Sequence, residues 1–426
     1  MPGPPRHPVG FPSAAVRLQR MNGPSLPLTG DRTSHGIRVH WSLDPSVIFL
    51  NHGSFGACPI PVLQYQTELR QRMERQPVQF FVRDLEGLLD AARAALGDFL
   101  GAPAGDLAWV PNATTAVNAV LRSLNFEPGD ELLTTDHEYN ACRNVLDFVA
   151  RRAGARVVVA NLPFPIASRD QVIQAVMDRV TERTRLALLD HVTSQTGLVL
   201  PIEALVRELR ARGVETLVDA AHAPGMLPLD VAAIGAAWYT GNCHKWVCAP
   251  KGAAFLYTRP DVQQRTRPAV ISHGANSTRT SRSRYLIEFD WTGTDDPTAF
   301  LSVLAAIRFM GELMPGGWAA VRETNHQLAL RGRDVLCNTL GIDPPCPDEM
   351  IGSLASLPLP DGDGRVGDSP LYADPLQDRL LQQFQIEVPV IPWPAPPKRL
   401  IRISGQVYNR DGDYESLGHA LRALGI

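Results

Sequence analysis

Val214-Glu215-Thr216-Leu217-Val218-Asp219-Ala220-Ala221-His222-Ala223-Pro224 reads as a buried strand that ends on a carboxylate and turns. Pro224 cannot donate to a ladder, and so short an apolar run needs a sheet around it. A second unit of the same kind follows, in which the strand Trp238 to Thr240 runs into Gly241-Asn242-Cys243-His244-Lys245-Trp246. Toward the N-terminus, strands are expected at Leu107 to Val110, Glu131 to Thr134, Arg156 to Ala160 and Leu186 to His191, with helical windows at 139–153, 170–180 and 201–212. Strands joined by helices at this spacing need crossover connections, so a mainly parallel sheet covered by helices on both faces is expected, an α/β fold.

Upstream, Leu85, Leu88, Leu89, Ala92, Ala95, Leu96, Phe99 and Leu100 recur at three and four, which predicts helix over 59–101. Beyond Pro297 the pattern changes to a long helix, strands near Met350 to Leu357, Ile386 to Ile391 and Leu400 to Ser404, and helices near 375–384 and 414–424. The expected organisation is a disordered Pro/Gly-rich tail over 1–36, a large α/β domain over 45–296 and a smaller α+β domain over 297–426. A polar, turn-forming loop is expected at Asp361 to Asp368.

Composition excludes several classes. The 426 residues carry 41 Lys+Arg against 44 Asp+Glu, a net charge of −3, with 44% hydrophobic residues. That is the balance of a soluble globular protein, and nothing in it argues for nucleic acid or an acidic membrane as the main partner. The first 36 residues hold no apolar run long enough for a signal peptide, and their prolines oppose a transit helix. Cys58, Cys142, Cys243, Cys248, Cys337 and Cys346 form no CxxC pair, so reduced thiols, a cytoplasmic location and no metal are expected.

Ligands in open α/β sheets sit beyond the carboxyl ends of the strands, and four clusters fall there. Pro111-Asn112-Ala113-Thr114-Thr115 follows a strand and opens a helix, offering N–H groups and hydroxyls to an anion, or simply a cap through Asn112 or Thr114. Asp219, closing an apolar strand, wants a cation or strong donors, or else caps the next turn. Lys245 stands among apolar and aromatic neighbours, where desolvation makes an amine nucleophilic. His137, in Thr135-Asp136-His137-Glu138-Tyr139, faces the same cleft or is a structural histidine. Phosphate cradle, acid for a protonated ring nitrogen and Schiff-base amine together are the needs of pyridoxal 5′-phosphate.

These residues stand in motifs that resemble the class V aminotransferase group of fold type I pyridoxal-phosphate enzymes, and within it the isopenicillin N epimerase-like branch. The motifs are Phe49-Leu50-Asn51-His52-Gly53-Ser54-Phe55-Gly56, 135–139, 218–224 and 239–246, and the similarity runs from about residue 45 to the C-terminus. The resemblance implies that Lys245 is the Schiff-base lysine, that Asp219 pairs with the pyridine nitrogen and that His137 stacks on the ring. It further implies that His222 approaches the ring oxygen, that Thr114, Thr115, Asn242 and His244 hold the phosphate, and that Thr294 reaches the phosphate of the other subunit of a homodimer. Arg402, in Ile401-Arg402-Ile403-Ser404, resembles the arginine for the substrate α-carboxylate, with Asn51 and His52 beside it. Ser194 stands where many class V members carry Asn at the ring oxygen.

Cysteine desulfurases need a mobile nucleophilic cysteine near the carboxylate-binding arginine, and 387–399 contains none. Arg279, Arg282 and Arg284, in Ser272 to Arg284, are candidates for a distal substrate carboxylate, with Arg83 a further one; the alternative is a solvated loop. The expected activity is epimerisation of an amino acid through a carbanion at Cα. C–S lyase, desulfurase-like or aminotransferase chemistry on the same residues, or a catalytically silent binding protein, are the alternatives.

Overall fold

The computed structural model describes residues 34–364 and 374–426. Nearly all of the expected tail, and the end of the expected loop 361–368, lie outside the described residues. The strands are β1 Ile48–Phe49, β2 Leu107–Val110, β3 Glu131–Thr135, β4 Arg156–Ala160, β5 Thr184–Asp190, β6 Glu215–Asp219, β7 Trp238–Asn242, β8 Ala254–Thr258, β9 Leu354–Leu359, β10 Ile386–Glu387, β11 Val390–Pro392 and β12 Arg399–Ser404. A seven-stranded sheet has the order β2-β8-β7-β6-β5-β3-β4. β8 runs antiparallel to β2 and β7, and the remaining neighbours are parallel. The expected α/β architecture is thus the observed one, completed by an antiparallel β11-β12-β9 sheet.

The sequence reading did not anticipate β8. Its five residues are all buried, so they show no alternation to separate a strand from a buried helical turn. Two expectations are corrected by proline. The helix expected over 59–101 is Ile60–Arg75, a π-helical turn Gln79–Asp84 and Leu85–Leu100, with Pro77 in the break. The strand expected at 386–391 divides into β10 and β11 around Pro389, whose carbonyl accepts from Arg402 N–H at 3.1 Å. β10 pairs in parallel with β1, which carries the segment after Phe49 to the side of β12. The long helix after Pro297 is interrupted before Gly317–Leu340 at Gly316 and Gly317, both at positive φ.

Helix 85–100 buries Leu85, Leu89, Ala92, Leu96 and Leu100 on one face, as its periodicity requires. Among the described residues no single helix is long and apolar enough to cross a membrane. The carboxyl ends of β3, β5, β6 and β7 converge, and the turns that leave them carry the polar residues described next.

Candidate active site

Lys245 lies in the turn after β7, held from two sides by glycines. A Cβ on Gly56 would sit 2.2 Å from His244 O, and one on Gly225 would sit 2.5 Å from the Trp246 carbonyl carbon. Both glycines have positive φ, so only glycine permits this approach. The Lys245 carbonyl meets Cys248 N–H at 3.0 Å and His52 Nε2 at 3.1 Å. His52 Nδ1 meets the Tyr408 hydroxyl at 2.8 Å. Expected beside a substrate, His52 is fully buried and braces the lysine turn from behind.

Lys245 Nζ lies 3.1 Å from His222 Nε2, and His222 Nδ1 accepts from the Trp246 indole at 3.3 Å. The indole can only donate, so in the neutral imidazole the proton sits on Nε2 and points at the amine, which accepts it only when uncharged. The electrostatics agree: burial and then the Arg402 charge pull Lys245 down to about 8. Burial and then the lysine hold His222 well below the usual histidine range.

Asp219, at the end of β6, is buried and accepts from Ala221 N–H at 2.9 Å and the Cys142 thiol at 3.0 Å. Burial raises its pKa, and those two hydrogen bonds draw it back. His137, after β3, is fully buried, with Nδ1 2.8 Å from the Thr196 hydroxyl and Nε2 3.2 Å from the Leu162 carbonyl. Its ring meets Trp393 edge-on, with centroids 4.7 Å apart.

Helix Ala113–Ser123 opens at Asn112, whose Oδ1 accepts from Thr115 N–H at 2.8 Å. The capping reading of Asn112 therefore holds, and Thr114 and Thr115 stand half-buried in the first turn. Asn242 reaches the same helix end, its Oδ1 accepting from Ala113 N–H at 2.9 Å. His244 instead turns Nδ1 to the Ala253 carbonyl at 3.0 Å. Arg402, buried on β12, donates to the Ser194 carbonyl and, at 2.9 Å, to the Ser54 hydroxyl. Ser194, considered for a ring oxygen, thus faces the guanidinium. Asn51 links the two elements, accepting from Ser54 at 2.5 Å and donating to Glu387 at 3.1 Å.

The arginines of 272–284 do not wait for a substrate. Arg279 pairs with Glu86, Arg282 with Asp90 and Asp290, and Arg284 with Glu288, so acids of helix 85–100 and its neighbours take all three. Arg83 is exposed on the π-helical turn, and Thr294 is exposed in the loop after Trp291.

A family model, aminotransferase class V, matches residues 62–359. The chain belongs to the class V aminotransferase family. It is 38% identical to an isopenicillin N epimerase of Amycolatopsis lactamdurans, over 91% of this chain and 97% of that protein. It is 32% identical to a probable chloroplastic L-cysteine desulfhydrase of Arabidopsis thaliana, over 89% and 83%. A solved lysine-to-alanine variant of C-DES, with glycine covalently linked to its PLP cofactor, shares the fold at a TM-score of 0.73 and 21% identity, over 90% and 98%.

In this class V chain the sequence reading passed over Cys142, Thr196, Trp393, Glu138 and Asp190. A signal existed for Asp190, which closes β5 as Asp219 closes β6. Cys142 and Thr196 carry no such signal, because their contacts join segments far apart in the chain.

Proposed function

We propose that this chain is a pyridoxal-5′-phosphate enzyme that inverts the α-carbon of an amino acid, an isopenicillin N epimerase-like isomerase. The observation that carries the reading is Lys245 Nζ held 3.1 Å from His222 Nε2, with buried Asp219 and Arg402 within electrostatic reach of the amine. The donor set suits the cofactor. Asp219 is a buried carboxylate whose donors are the neutral Ala221 N–H and Cys142 thiol. Such a site calls for a cation, and a protonated ring nitrogen at Asp219 is one. The first turn at Thr114 and Thr115, with Asn242 at the same helix end, suits the phosphate; His137 suits the ring face; His222 and Lys245 lie together for the ring oxygen and aldehyde.

When bound, the cofactor supplies a covalent link to the substrate amine and an electron sink for the charge that develops at Cα. The chain does the rest. Arg402 binds the α-carboxylate through a planar fork oriented by Ser54 and Ser194. Lys245, largely neutral above pH about 8, takes the Cα proton from one face, with its lone pair kept aimed by the His222 Nε2–H, and inversion is completed by a proton delivered to the opposite face from a donor other than Lys245. Asp219, held anionic by its two donors, would pair with the ring nitrogen.

The stronger identity to the epimerase favours inversion over cleavage, although loss of a sulfur group at Cβ, as in the desulfhydrases, begins with the same proton. A desulfurase also needs an accessible thiol, and all six cysteines are buried. Incubation with L-amino acids in D2O decides among these. Deuterium at an inverted Cα is expected; pyruvate with sulfide would assign a lyase, a keto acid an aminotransferase, and no exchange at all would remove the enzyme reading.

A homodimer with Thr294 shared between sites is part of the proposal. Its support is a set of exposed apolar side chains, Val78, Val82, Val270 and Ile271, of which Val270 lines a cavity together with Phe81, Trp109 and Trp291. Ile271→Glu is expected to shift sedimentation from dimer to monomer; an unchanged dimer would remove this surface. The unpaired thiols are consistent with a cytoplasmic location.

A further inference from the structure

β5 and β6 lie side by side, and their register pairs Asp190 with Asp219. Register partners on neighbouring strands share one face of a sheet, so two carboxyls project together. A third enters from the turn after β3. One oxygen of Glu138, Cys142 Sγ and one oxygen of Asp219 lie within 4.8 Å of one another. Glu138, Asp190 and Asp219 are 6%, 3% and 2% exposed.

Their hydrogen bonding is uneven. Asp219 has two donors, the Ala221 N–H and the Cys142 thiol. Glu138 accepts from the Thr134 hydroxyl at 3.2 Å through Oε2, while its Oε1 and Asp190 Oδ2 have no hydrogen-bond partner among the described residues. The cations that face the cluster are Lys245, toward Asp219 and Asp190, and Arg143 of helix 140–153, toward Glu138. The remaining titratable neighbours, Cys142, Tyr139 and Tyr239, add no positive charge. One amine that desolvation drives toward its neutral form and one partly exposed arginine cannot balance three buried anions. Ionisation must concentrate where the donors are.

The geometry points to Glu138 and Asp190 as proton-holding positioning residues, each neutral at neutral pH, which leave the single negative charge of the cluster on Asp219. Burial and then the Asp219 charge push Glu138 well above the usual carboxylate range, and burial, with the Asp219 charge beside it, does the same to Asp190. The value of this arrangement to a ring nitrogen rests on the cofactor reading above; the placement of the protons does not. A carboxyl with a raised folded pKa stabilises the fold fully below its unfolded pKa, and that contribution is lost as pH rises through the folded value. Melting temperature is accordingly expected to fall toward alkaline pH, less steeply in Glu138→Gln.

Infrared difference spectra of the full-length protein at neutral pH test the proposal, comparing wild type with Glu138→Gln and with Asp190→Asn. Each difference is expected to show the loss of one protonated-carboxyl C=O band. Ionised-carboxylate bands in either difference would overturn it. Should a variant fail to fold, titration of the wild type serves: the bands are expected to vanish at alkaline pH, and their loss within the ordinary carboxylate range would overturn the proposal. In the holoprotein the visible cofactor band is expected to shift across the alkaline transition in wild type and not in Glu138→Gln, a pH profile that a merely structural role would leave alone. Absence of any visible band would count against the cofactor reading only, since the infrared result needs no cofactor.

Discussion

Lys245→Ala is expected to remove the visible absorption of the purified protein and to lower turnover by at least ~10⁴-fold, the upper end of what a positioned general base contributes. The magnitude follows from a double role. The same amine is proposed to hold the aldehyde and to move the Cα proton, and the nearest lysine in the chain, Lys251, is engaged elsewhere, donating to Gly56 O at 2.8 Å. The fold should survive, because the bracing of the turn runs through the backbone, from the Lys245 carbonyl to His52 and Cys248. Circular dichroism can check that. The pH dependence carries a second expectation. Loading of the wild type with aldehyde should rise through pH about 8, where burial places the amine, rather than through the range of an exposed lysine near ~10.4. A variant that still binds the aldehyde covalently would show that another amine carries the chemistry.

Asp219→Asn comes second in size. The substitution keeps the shape of the side chain and removes the charge, so the proposed ring-nitrogen cation loses its buried partner. Breaking one half of a buried ion pair costs about 3–5 kcal/mol, which corresponds to roughly 150- to 5,000-fold in rate. The loss should fall on kcat, because Arg402, which is proposed to bind the substrate carboxylate, is untouched. Equal losses in kcat and 1/KM would instead point to a collapsed site. Substitution by Asn also leaves the Cys142 thiol and Ala221 N–H facing an amide, and melting temperature should report that separately from turnover.

Much of this was legible in the chain. Alternating strands and helices gave the parallel core, and Asp219 and Lys245 were found because each follows a short apolar run at a strand end. Arg402 was found from its motif, but its partners Ser54 and Ser194 come from distant segments. The arginines of 272–284 show the opposite failure: without the fold, nothing in the sequence tells that Glu86, Asp90, Asp290 and Glu288 already neutralise them.

Local patterning by itself determined most of the secondary elements, β8 and the breaks at Pro77 and Pro389 excepted, and the residue types offered at each strand end, since these depend on neighbours within a few positions. Strand register and the closure of distant segments were decided only by the tertiary structure. Asp190 beside Asp219, Glu138 against Cys142 and His222 on Lys245 are all contacts of that second kind. A protonation state is set by the summed burial and charge of such contacts, so the chemistry of a carboxyl cannot be read until the fold has chosen its neighbours.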